Sequence, residues 1–104
     1  MNLPKKFTIN TQEITVEMVD YIEDSKFGKF DPVLNLITVA TKIKRDNEIF
    51  NLTTDQIWNT FFHELIHAWQ FFATGNTCEE DSCTYSGYII EFLKTSSFEN
   101  EYNN

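Results

Sequence analysis

The chain has two histidines and two cysteines in 104 residues, and its 8 basic residues are outnumbered by 16 acidic ones. Each scarcity excludes something. Cys78 and Cys83 sit where a helix is expected to start, and their spacing does not place them side by side on it. They are therefore expected as free thiols in a reducing compartment. A net charge of −8 argues against nucleic acid and anionic membranes, which need a basic surface. The same charge suits cations or basic peptides, or simply a solvated surface. No apolar run approaches the roughly 20 residues of a membrane-spanning helix. The opening Met1-Asn2-Leu3-Pro4-Lys5-Lys6 is too polar and short for a signal peptide. The expected compartment is the cytoplasm. Repeats and low-complexity segments are also lacking.

Core-forming residues are plentiful. Hydrophobic residues make up 41% of the chain, with ten Phe, four Tyr and two Trp. That is enough for one packed core, so residues 1–104 are expected to form a single domain.

Residues 7–19 alternate and are rich in β-branched types, which predicts a strand with a hairpin turn at residues 10–12. Residues 21–26 are polar and carry no clear pattern. Residues 27–32 contain Gly28 and an Asp-Pro pair and are expected to turn. Residues 34–41 alternate again and predict a strand, and residues 42–48 predict a charged loop. Thr53-Thr54-Asp55-Gln56 fits a capping box, so a helix should begin at Thr53 and run to about Ala73, with Gly75 as its stop. This helix is apolar nearly all round, which predicts burial at the centre of the fold. A second helix is expected over residues 79–96, followed by a frayed polar tail.

The two histidines lie on the first helix, in His63-Glu64-Leu65-Ile66-His67. Positions four apart project from one helical face, so both imidazoles can reach one metal ion. The glutamate between them can take a proton from a metal-bound water. Two histidines placed at random in such a chain fall four apart about 2% of the time, and with the glutamate in register roughly 0.2%, so the motif stands well above chance. The histidines share a face with Gln56, Thr60 and Gln70, while Trp58, Phe62, Leu65 and Trp69 are expected to pack on the sheet.

A catalytic zinc normally has three protein ligands and a water. There is no third histidine, and Gln70 and Ala73 occupy the glycine and final histidine positions of the longer H-E-x-x-H-x-x-G-x-x-H pattern. The third ligand must be a carboxylate or a cysteine. Candidates cluster after the helix: Cys78, Glu79, Glu80, Asp81 and Cys83. Glu80 is preferred, because on a helix it shares a face with the small residues Cys83, Thr84 and Gly87. Glu79 is the runner-up. Either acid could instead serve only the helix dipole, a cysteine ligand would suggest a structural site, and a neighbouring copy could supply the third ligand.

The chain resembles the small single-domain zincins, metallopeptidase-like proteins of the gluzincin type, including minimal phage and bacterial proteins and the peptidase part of the ImmA/IrrE group. Carrying the likeness are the N-terminal strands, Gly28 ahead of the strand at residues 34–41, the motif helix, and the acidic start of the helix after it. The resemblance implies an α+β minimal zincin fold. A small antiparallel or mixed N-terminal sheet would pack on the motif helix, with a second helix at the C-terminus. It implies Zn2+ held by His63, His67 and Glu80, with Glu64 as general base. The function expected is a zinc-dependent peptidase acting on a peptide or protein substrate. An extended substrate could pair with the edge of the strand at residues 34–41, and Tyr85 or Tyr88 could donate to the developing oxyanion. The rival is a zincin-fold binding or regulatory protein of a phage or mobile element, with little or no turnover.

Overall fold

Asn10 and Thr11 both take positive φ, 49° and 65°. Two such residues make the tight turn whose twist matches that of paired strands. They join β1 (Pro4–Ile9) to β2 (Gln12–Val19), with Phe7 opposite Ile14. The computed structural model describes residues 2–75, 91–92 and 94–98. Beyond the hairpin these form β3 (Gly28–Asp31), β4 (Leu36–Ala40), β5 (Lys42–Arg45), β6 (Glu48–Asn51), α1 (Thr54–Thr74) and β7 (Ser97–Phe98).

The main sheet runs β3-β4-β2-β1-β7. β4 lies parallel to β2, and the remaining neighbours are antiparallel, so the sheet is mixed. The register puts Ile14, Val16, Ile37, Val39 and Phe30 on one face, because side chains alternate along each strand. Helix α1 covers that face. Phe61, Leu65, Ala68 and Trp69 close the core against Phe7, Ile9, Ile14, Ile37 and Val39. Phe7 meets Phe61 and Phe92 edge-on, at 6.1 and 5.2 Å between ring centroids. Over the described residues the architecture is α+β with one main helix. No helix among the described residues is long and apolar enough to cross a membrane.

Several expectations need correction. Residues 28–31 form a strand, and the turn falls at residues 32–35. Asp31 Oδ1 accepts from the backbone N–H of Val33 and Leu34, at 2.9 and 3.2 Å, and Asn35 takes φ 52°. The Asp-Pro pair therefore does start a turn, but it consumes Leu34 and Asn35, and β4 begins only at Leu36. Residues 42–51 are a hairpin, not a charged loop. Asp46 and Asn47 both have positive φ, 49° and 65°, and close β5 on β6. Only Ile43 is buried in this ribbon, so its charged surface masked the strand pattern.

The helix also differs from its expected burial. It has an exposed side, on which Phe62 and Ile66 are each 43% accessible. Phe62 does not face the sheet; Phe61 does. Most of the second helix expected over residues 79–96 lies outside the described residues. Within them, residues 91, 92, 94 and 95 are helical, and the chain then pairs with β1 as β7, a strand no pattern predicted.

Candidate metal centre on the long helix

Both ends of α1 are fixed by local chemistry. Thr53 Oγ1 accepts from the Gln56 N–H at 3.1 Å, and Gln56 Oε1 accepts from the Thr53 N–H at 2.8 Å, the reciprocal bonds of a capping box. At the other end Gly75 takes φ 81° and donates to the Phe71 carbonyl at 2.7 Å. The motif therefore sits in the interior of an unbroken helix, where side-chain directions are set by the backbone.

His63 and His67 turn towards each other. Their Nε2 atoms are 3.0 Å apart, and their rings are perpendicular with centroids at 4.5 Å. Zn–N bonds of about 2.0–2.1 Å in a tetrahedron put two nitrogens about 3.3–3.4 Å apart. Opening the pair by a few tenths of an ångström would fit both nitrogens to one ion. Imidazole donors suit zinc among the common divalent metals.

Glu64 sits between the two histidines on the helix and packs against β3, its Cγ 3.2 Å from where a Cβ on Gly28 would lie. It is 8% exposed. Burial raises its pKa above the ordinary value, against the opposing positive charge of His63, His67 and Lys26. Glu64 lines two hollows. One, of about 340 Å³, is shared with Lys26, Phe27, Gly28, Thr60 and His63. The other, of about 210 Å³, is shared with Phe30, Pro32, His67 and Phe71. Gly28 and Phe30 of β3 thus line one hollow each, and Glu64 lines both.

Gly28 makes this approach possible. A Cβ there would lie 2.6 Å from Thr60 Cγ2, 3.0 Å from the Thr38 carbonyl and 3.2 Å from Glu64 Cγ. Gly28 is not a positive-φ turn residue, as its sequence context suggested, but the point where β3 touches the helix. Gly28→Ala should cost about 1–3 kcal/mol by overpacking. Denaturant melts would check this, and an unchanged midpoint would show that the strand has room to move.

The structure brings His63, Glu64 and His67 together, with Thr60 and Gln70 beside them as the helical spacing implied. Gln56 is engaged in the cap instead. Lys26 and the β3 segment were not foreseen as part of the site. Among the described residues no group of three or more His, Cys, Asp or Glu side chains is placed to hold a metal. The third-ligand candidates Cys78, Glu79, Glu80, Asp81 and Cys83 lie outside the described residues, as do Tyr85 and Tyr88. Compared with known family models, curated proteins and solved structures, the chain matches none.

Proposed function

We propose that this chain is a zinc-dependent peptidase with a zincin-like fold, working in the cytoplasm on a peptide or protein substrate. The observation that carries the reading is the convergence of His63 Nε2 and His67 Nε2, 3.0 Å apart, beside a buried Glu64. A core histidine pair needs no carboxylate in register, and a carboxylate without a task is costly to bury.

His63, His67 and Glu80 would hold the ion, which supplies Lewis acidity towards a carbonyl oxygen and a water molecule. Glu64 takes the proton of the attacking water and returns it to the leaving amine. Burial strengthens it as a base, which suits a group that must collect and then release a proton. The substrate strand pairs with β3. The strand expected over residues 34–41 cannot serve, because β4 is flanked by β2 and β3 and has no free edge. Among the described residues β3 ends the sheet, and Gly28 and Phe30 in it line the two hollows that share Glu64.

Zinc-loaded protein should cleave members of a peptide library, and a chelator should stop it. Tight binding of a partner with no cleavage would favour the regulatory reading instead. For the third ligand, Glu80→Ala should lose far more zinc affinity than Glu79→Ala in a competition titration. Equal affinities would remove Glu80 from the set.

A further inference from the structure

Gln70 lies about one turn beyond His67 on α1 and is 4% exposed. Its Oε1 is 3.3 Å from His67 Nδ1, while His67 Nε2 is 3.0 Å from His63 Nε2. A neutral imidazole carries one N–H, and an amide oxygen only accepts. The contact with Gln70 therefore needs the ring proton of His67 on Nδ1, leaving a lone pair on its Nε2. The contact between the rings then needs a donor from the other side, so His63 carries its proton on Nε2.

We infer that Gln70 is a positioning residue that holds the ring proton of His67 on Nδ1 and so makes the two histidines unequal. His67 is preset, with its Nε2 lone pair turned to the shared point. His63 must shed the proton on Nε2 and take one on Nδ1 before its own Nε2 can bind a cation, with no net proton change. His63 is exposed, so solvent can carry that proton. Partners on the outer nitrogen are known to orient metal-binding histidines in this way. The consequence for metal binding rests on the zinc reading above; the assignment of the ring protons does not.

With only two histidines in the chain, long-range proton–nitrogen NMR of histidine-labelled protein resolves both rings. Metal-free protein, held alkaline enough for neutral imidazoles, should show His67 protonated at Nδ1 and His63 at Nε2. Added Zn2+ should switch His63 and leave His67 unchanged. Gln70→Met should give His67 mixed tautomers and weaken zinc binding about 10–100-fold. Gln70→Glu, whose carboxylate can only accept, should restore the Nδ1–H form. A wild-type His67 protonated at Nε2 would overturn the inference, as would a Gln70→Met protein with unchanged tautomers. The wild-type spectrum decides the assignment even if Gln70→Met does not fold. Correct tautomers without zinc binding would support the assignment and sink the peptidase reading.

Discussion

Glu64→Gln is expected to keep zinc bound, to lose about 10²–10⁴-fold in peptide cleavage, and to melt at a higher temperature than wild type when metal-free. The first two effects follow from chemistry. Glutamine keeps the shape of the side chain but cannot accept the proton, and the proposed ligands are untouched. The third follows from burial. Glu64 has a higher pKa in the folded chain than the ordinary 4.5, so the folded state binds the proton more tightly than the unfolded one. Stability contributed by that proton is present below the ordinary value and is lost as pH rises through the raised one. At neutral pH the wild type carries the cost of a buried charge, and the glutamine variant does not. Thermal melts of both proteins over a pH series would show a gap in favour of the variant that widens as pH rises. A constant gap would mean that the Glu64 charge has no part in it. Function held at a cost in stability is common at catalytic carboxylates.

Phe61→Ala should give the largest loss of stability, about 3–5 kcal/mol. Phe61 is fully buried and packs against Phe7, Trp58, Phe62 and Phe92. It thus joins the helix both to β1 and to the segment preceding β7. A domain of this size has about 5–15 kcal/mol in all, so the variant should be marginally folded at best. Phe62→Ala, at a position 43% exposed, should cost about 1 kcal/mol or less. Chemical denaturation of the two variants side by side checks this ordering. Comparable losses would mean that the helix is rotated from the orientation described.

This pair of phenylalanines marks the limit of what periodicity conveys. The bounds of α1 were legible because a capping box and a terminal glycine are local signals, and His63, Glu64 and His67 followed from helical spacing. The side facing the sheet was not legible, because apolar residues surround the helix and its orientation is set by tertiary contacts. Those contacts are what bury Thr60, Glu64 and Gln70. The first hairpin was legible from alternation. The second was not, because only Ile43 in it is buried and its strands show no apolar alternation. Gly28 drew notice for the wrong reason: its importance lies in a contact with a helix some thirty residues later, which no local pattern encodes. The likeness to zincins rests on the motif, and the mixed sheet under one long helix among the described residues is broadly compatible with it.

The peptidase reading depends on the two histidines binding one metal ion. A calorimetric titration of metal-free protein with Zn2+ tests it most directly, with His67→Ala as the comparison. One ion per chain is expected, bound at submicromolar affinity by the wild type and at least about 100-fold more weakly by the variant. Failure of the wild type to bind zinc, or equal affinity in the two proteins, would contradict it.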